Sequence, residues 1–172
     1  MSKDTKVPFN RPVVSGNELS FIEDAINRHK LSGDGYYSRL CNEELNRITG
    51  SHASLITHSG TAALEMAAML CELRPGDEVV MPSFTFVSTA NAVVLRGATP
   101  VFVDIDENSL NIDPNEVEKA ISKRTKAIFA VHYAGIPADM DALEKIARKY
   151  DILLVEDAAQ ALGSKYKNRS AG

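Results

Sequence analysis

Four short segments hold the side chains best suited to chemistry: His58-Ser59-Gly60-Thr61, Pro82-Ser83-Phe84-Thr85-Phe86, His132-Tyr133-Ala134-Gly135 and Glu156-Asp157-Ala158-Ala159-Gln160. Ser59-Gly60-Thr61 opens an apolar stretch of helical period. Small hydroxyls and a glycine therefore stand where unpaired backbone N–H groups and the positive end of a helix dipole favour an anion such as phosphate. An ordinary N-cap accounts for the same triplet. Glu156 and Asp157 close a hydrophobic run, where a partly buried carboxylate needs a metal, a protonated heterocyclic nitrogen or another positive partner to stay ionised. A carboxylate capping the Ala-rich turn that follows is the plainer alternative. Phe84 and Phe86 read first as core aromatics. Alternate residues of an extended segment point to opposite sides, however, so one of the two can leave the core and lie over a flat ring. His132 fits a satisfied, hydrogen-bonded histidine, and Tyr133 fits packing.

These segments sit in a regular alternation of short apolar runs with longer amphipathic stretches, the pattern of βα units around a parallel sheet. The expected strands are Ala53 to Thr57, Glu78 to Met81, Pro100 to Val103, Ala127 to Val131 and Ile152 to Val155, nearly all apolar as strands buried on both faces are. In an open sheet of this kind ligands bind beyond the carboxyl ends of the strands, which is where each of the four segments falls. A helix from Thr61 to Leu73 is expected to be largely buried through Ala62, Ala63, Met66, Ala67, Leu70 and Cys71, and Pro75-Gly76-Asp77 stops it. Asp113-Pro114 supplies an N-cap with proline in the first turn for a helix to about Ile121. Asp139 to Tyr150 repeats the scheme with Met140, Leu143, Ile146 and Ala147 inward. Glu18 to His29 and Tyr37 to Thr49 form two amphipathic helices joined by the turn-rich Leu31-Ser32-Gly33-Asp34-Gly35. The chain thus divides into a helical segment, residues 1–50, and an α/β body, residues 51–172, whose last stretch, Lys167 to Gly172, reads as a hairpin turn.

Composition narrows the class. The 172 residues are 44% hydrophobic and 24% charged, a globular balance. Nineteen Lys and Arg against 23 Asp and Glu give a net charge of −4 without a basic stripe, which speaks against nucleic acid. Cys41 and Cys71 form no Cys-x-x-Cys pair, so a disulfide scaffold or zinc ribbon is excluded and no metal site is expected. Met1 to Lys6 lacks the apolar run of a signal peptide, and no stretch approaches a membrane span, so a cytoplasmic protein without a membrane partner is expected.

Ser-Gly-Thr-Ala-Ala-Leu at 59–64, Met-Pro-Ser-Phe-Thr-Phe-Val-Ser-Thr-Ala-Asn-Ala at 81–92, Leu-Arg-Gly-Ala-Thr-Pro-Val-Phe-Val-Asp at 95–104, Ala-Val-His-Tyr-Ala-Gly at 130–135 and Val-Glu-Asp-Ala-Ala-Gln at 155–160 resemble, in order, the sugar-nucleotide aminotransferases of the DegT/StrS type. The resemblance implies a three-layer α/β sandwich with a mostly parallel sheet, the incomplete large domain of the aspartate-aminotransferase fold, and pyridoxal 5'-phosphate as cofactor. Carried over, Gly60 and Thr61 hold the cofactor phosphate, Phe86 stacks on the ring and Phe84 keeps a core role. Asp157 pairs with the protonated ring nitrogen, and Gln160, where relatives carry Gln or His, bonds near the phenolic oxygen. Ser32, Gly33 and Tyr133 are implied as sugar contacts. Pro8-Phe9-Asn10-Arg11-Pro12, Leu31 to Gly35 and Met81 to Asn91 look closest to the branch that aminates the C4 ketone of dTDP-4-keto-6-deoxyglucose, with glutamate as amino donor, in surface-glycan or secondary metabolism.

The resemblance also implies what the chain departs from. In relatives the Schiff-base lysine lies in a Ser-Phe segment beyond the residue corresponding to Gly172, and Lys165 and Lys167 stand before it. No catalytic residue is therefore assigned, the small C-terminal domain is absent, and the chain alone is expected to be inactive. Family active sites lie at a dimer interface, so the full-length form is expected to be a homodimer. An exposed sheet edge is expected to favour self-association. Two alternatives stay open: a non-catalytic nucleotide-sugar-binding or partner-docking paralogue, and a flavodoxin-like or Rossmann-like domain using Ser59 to Ala62 for another phosphate ligand.

Overall fold

A computed structural model describes Pro8 and residues 11–172. Phe9 and Asn10 of the opening phrase, and Met1 to Lys6, lie outside the described residues. The elements run in the order α1 (Glu18–Asn27), α2 (Tyr36–Thr49), α3 (Gly60–Leu70), β1 (Glu78–Pro82), α4 (Val87–Val94), β2 (Thr99–Val103), α5 (Pro114–Ala120), β3 (Thr125–Val131), α6 (Met140–Tyr150), β4 (Leu153–Asp157), β5 (Lys165–Tyr166) and β6 (Arg169–Ser170).

Strands β1 to β4 form one wholly parallel sheet in the order β2-β1-β3-β4. Side chains alternate across it. Val79, Met81, Ala127 and Phe129 join Ala68, Leu73, Ala92 and Val93 in one core with α3 and α4. Val80, Ile128 and Ala130 join Val117, Met140, Leu143, Ile146 and Ala147 in a second core with α5 and α6. Period two in the strands and period 3.6 in the helices thus give the three layers. The central strands β1 and β3 are buried on both faces. The edge strands are not: Phe102 on β2 and Leu153 on β4 are about half exposed, because each edge strand has a strand neighbour on one side only.

Asp113 and Asp139 cap α5 and α6 through backbone N–H groups of Asn115 and Ala142, and the inward face of α6 is the expected set of four residues. Helix α4 is not marked by its local sequence, which is half β-branched residues. Burial of Ser88, Thr89, Ala92 and Val93 on one face overrides that weak propensity. The expected strand at Ala53 to Thr57 is not formed. Both flanks of β1 and of β3 are taken, and the segment runs beside α2 instead, with Ile56 N–H donating to Asn42 Oδ1 at 2.7 Å. Helix α3 is not largely buried: Ala68 is its one buried residue, and its inward edge is Leu64, Ala68 and Cys71, while Met66, Met69 and Leu70 face outward. The hairpin expected near the C-terminus exists as β5 and β6, with Lys167 and Asn168 at positive φ in its turn. Ser170 Oγ donates to Ile48 O at 3.0 Å and ties this hairpin to α2.

At the amino ends of the central strands Glu78 is nearly buried and accepts from Ser122 Oγ and from the Arg124 guanidinium, Nε at 2.9 Å. Ser122 first, then Arg124, holds its carboxyl below the ordinary value of about 4.5. A folded value below the unfolded one means that the ionised carboxylate stabilises the fold above that ordinary value, and that this contribution is lost as pH falls through the lower folded value. Glu78→Gln is expected to flatten the acid limb of the stability curve, read from urea midpoints between neutral pH and pH about 3; an unchanged limb would show that the carboxylate is not held. In the core between the sheet and α3 and α4, Phe129 is fully buried, and Phe129→Ala is expected to cost about 3–5 kcal/mol in urea unfolding.

Candidate active site at the strand ends

Beyond the carboxyl ends of β1, β3 and β4 lies a cleft of about 260 Å³ lined by Phe84, Thr85, Phe86, Val131, His132, Tyr133, Asp157, Ala159 and Gln160. A larger hollow of about 460 Å³ lies between α1 and α2, with Arg28, Ser32, Tyr36 and Arg39 among its lining residues. The smaller cleft is the better candidate, because an open parallel sheet gathers its loops at the carboxyl edge and because a carboxylate, an amide and three aromatic rings meet there.

Asp157 ends β4, partly buried. Its Oδ2 accepts from Thr89 Oγ1 at 2.9 Å and its Oδ1 from Ala159 N–H at 3.2 Å. Thr85 and Thr89 hydroxyls are 2.8 Å apart, and since the one proton of Thr89 goes to Asp157, Thr85 donates to Thr89. Thr85 and Thr89 are four residues apart where the chain turns into α4, so they stack toward the strand end. Two donors leave the carboxylate with further acceptor capacity.

Another wall is Tyr133, which opens the turn that runs to Ala138. Its first residues form a 3₁₀ turn, with Ala134 and Gly135 both at positive φ. A Cβ on Gly135 would meet Gln160 O at 3.0 Å, so this close approach requires glycine. Side chains from other segments clamp the turn. Tyr133 N–H donates to Asn111 Oδ1 at 2.9 Å, Asn111 Nδ2 donates to Ile136 O at 2.9 Å, and Ala134 N–H donates to Gln160 Oε1 at 2.7 Å. The amide oxygen of Gln160 is thereby occupied, and its NH₂ is the group left to donate. The Tyr133 ring packs against Phe84, with centroids 4.6 Å apart. His132 is fully buried and bonded at both ring nitrogens, as a structural histidine is.

Both phenylalanines depart from a core role. Phe84 is 43% and Phe86 72% exposed, because the chain bends as it leaves β1 and presents both rings to the cleft instead of alternating them across a strand. Phe86, Asp157 and Gln160 are brought together. Gly60 and Thr61 open α3 beside the cleft without lining it. Ser59 Oγ caps the helix through Ala62 N–H, so the N-cap reading holds, while Thr61 and Ser88 hydroxyls, 2.7 Å apart, link this helix end to the first turn of α4. Ser32 lines the hollow between α1 and α2, apart from Tyr133 in the cleft. Among the described residues no lysine lines the cleft: Lys165 is on β5, and Lys167 Nζ pairs with Asp141. No cluster of potential metal ligands occurs among the described residues, and no helix there is long and apolar enough to cross a membrane. Thr85 and Thr89 fall in the segment after β1 without a role assigned from sequence, and Asn111 is not singled out there. The four-residue spacing of the two threonines was an available signal, whereas nothing local marks Asn111.

Comparison with known proteins places this geometry. The model of the DegT/DnrJ/EryC1/StrS aminotransferase family matches residues 13–172. Among solved structures, the chain is similar to S. venezuelae DesV, 39% identical with a TM-score of 0.81 over 90% of this chain and 42% of DesV. It is similar to an aminotransferase from Psychrobacter cryohalolentis, 34% identical with a TM-score of 0.91 over 96% of this chain and 42% of that one. It is also similar to Bacillus subtilis NtdA, solved with bound cofactor PMP, 34% identical with a TM-score of 0.81 over 84% of this chain and 33% of NtdA. The chain therefore spans less than half the length of these structures. Its layered parallel sheet is part of the aspartate-aminotransferase-type fold that they share. A match over nearly the whole sequence, joined to a fold that superposes on these enzymes, means that the chain belongs to the DegT/DnrJ/EryC1/StrS aminotransferase family.

Proposed function

We propose that this chain is the cofactor-binding portion of a pyridoxal-phosphate-dependent aminotransferase that acts on a nucleotide-linked 4-keto-6-deoxy sugar. The observation that carries the reading is Asp157, an acceptor at the floor of a cleft walled by aromatic rings. The PMP bound in NtdA and the family match support the same cofactor.

The residues present fit such a ring. Its flat face suits the exposed Phe86, a protonated ring nitrogen suits the free lone pairs of Asp157, and a phenolic oxygen suits the NH₂ of Gln160. A phosphate suits the start of α3, where a Cβ on Gly60 would meet nothing within 4 Å and the Thr61 hydroxyl is at hand. When bound, pyridoxal phosphate supplies a conjugated ring that accepts the electron pair left as an amino donor loses its α-proton. The chain's own part is to bind and orient. Asp157 holds the proton at the ring nitrogen by charge, Thr89 and Ala159 keep that carboxylate aimed, and Tyr133 and Phe84 keep water off one side. The amine that moves the proton belongs, by family resemblance, to a segment after Gly172, so transfer from glutamate to the C4 ketone of dTDP-4-keto-6-deoxyglucose is proposed for the whole enzyme. We read it as a cytoplasmic homodimer, a reading supported by the exposed apolar side chains of α1 and α3, such as Leu19, Ile22, Met69 and Leu70.

Pyridoxamine phosphate, which needs no lysine to bind, is the direct probe. Asp157→Ala is expected to raise its dissociation constant about 10- to 100-fold, the worth of one charge-assisted hydrogen bond, in a fluorescence titration. Equal affinity of the variant would remove Asp157 from its assigned role. Binding of flavin or NAD in place of pyridoxamine phosphate would favour a different phosphate-ligand domain.

A further inference from the structure

One buried titratable side chain beside the cleft has no part in the chemistry just described. His132 lies at the end of β3, and its side chain is fully buried. Its backbone N–H donates to Asp157 O at 3.1 Å. Its Nδ1 accepts from Ala138 N–H at 3.1 Å, so the ring proton sits on Nε2, which donates to Glu156 Oε2 at 2.7 Å. The same carboxylate oxygen accepts from Gly172 N–H at 3.1 Å. Glu156 and Asp157 are consecutive on β4, so their side chains leave opposite faces of the sheet. Asp157 enters the cleft while Glu156 turns away from it to the imidazole.

One residue therefore grips β4 twice, at the main chain of Asp157 and at the side chain before it. The same ring closes the turn that carries Tyr133 and Ala134. Here an apolar side chain of equal size would leave the Ala138 N–H and the Glu156 carboxylate short of a partner, and the strand end and the turn would lose their common anchor. The Glu156 carboxyl is held below its ordinary range, first by the His132 hydrogen bond.

We propose that His132 and Glu156 are a positioning pair, which fixes Asp157 and the turn that carries Tyr133 into the cleft without touching the ligand's reacting atoms. The proposal rests on the cofactor reading above. It concerns the aim of Asp157, where a displacement of a fraction of an ångström changes how well a ring nitrogen is met.

The test uses the chain as it stands, with pyridoxamine phosphate carrying ¹⁵N in its ring. Nitrogen NMR of the ligand-free chain at neutral pH is expected to find His132 as the Nε2–H tautomer. His132→Leu and Glu156→Ala are expected to weaken probe binding at least about tenfold, as loss of a supporting partner does elsewhere. They are also expected to move the bound ring-nitrogen resonance toward the unprotonated value. Glu156→Gln keeps an acceptor oxygen for both donors, so it is expected to retain affinity and resonance. An Nδ1–H tautomer, a Glu156→Ala chain with unchanged affinity and resonance, or a Glu156→Gln chain as impaired as Glu156→Ala would each overturn the proposal. If the alanine and leucine variants do not fold by circular dichroism, the tautomer and the glutamine variant decide. An unsubstituted chain that binds no probe overturns the cofactor reading and this proposal with it. That failure is distinguishable from failure of the pair alone, where the unsubstituted chain binds and Glu156→Ala matches it.

Discussion

The parallel pairing of β3 with β4, in the register that sets Val131 beside Asp157, is the constraint on which the site depends. It decides which end of the sheet collects Asp157, His132 and the turn that follows. It also fixes which face each residue takes. A slip of one residue would send Asp157 to the face of α5 and α6 and bring Glu156 into the cleft, because side chains alternate with period two. The register is held by apolar burial along the strands, where Ala127, Ile128, Phe129 and Ala130 are fully enclosed, and at the end by His132 bonding both to the main chain of Asp157 and to the side chain of Glu156.

Placing polar groups near that core is costly unless each finds a partner. Thr89, Asn111 and His132 are buried, yet among the described residues no buried side-chain nitrogen or oxygen lacks a hydrogen bond. The partners are also ordered. Each of these three residues ties a different segment to the strand ends: α4 to β4 through Thr89, the loop before α5 to the turn through Asn111, and β3 to β4 through His132. Removing one partner would strand the other, which gives the cleft a single well-defined arrangement in place of an adaptable one.

The sequence disclosed this fold where local pattern and tertiary need agree. Helix α6 has its cap, its period and its inward residues in plain view, and β1, β3 and β4 show their apolar runs. It failed where the deciding partner is distant. Ala53 to Thr57 is as apolar as the true strands, but a strand exists only when a neighbour supplies its ladder, and composition cannot report that. Val87 to Val94 carries β-branched residues yet is helical, since the core it shares with α3 accepts one face of it. Asp157 was legible as a carboxylate closing a strand, whereas Phe86 and Gln160 were singled out by the family resemblance; the three line one cleft. The exposure of Phe84 was not legible, because it depends on a bend after β1 that no residue type dictates.

Hydrogen-bond direction completes the argument for what the cleft can hold. Every donor assigned around Asp157 points toward it: Thr85 to Thr89, Thr89 to Oδ2, and the Ala159 N–H to Oδ1. That arrangement leaves the carboxylate oxygens as acceptors toward the cleft. At Gln160 the direction is opposite. A backbone N–H can only meet the amide oxygen, so Ala134 fixes the oxygen toward the turn and leaves the NH₂ free to donate. The cleft thus offers an acceptor at its floor and a donor at its rim, with aromatic faces between them. A neutral, symmetric ring would satisfy neither end. A ring protonated at one position and bearing an anionic oxygen at another satisfies both, which is why the proposed cofactor suits this wall of residues.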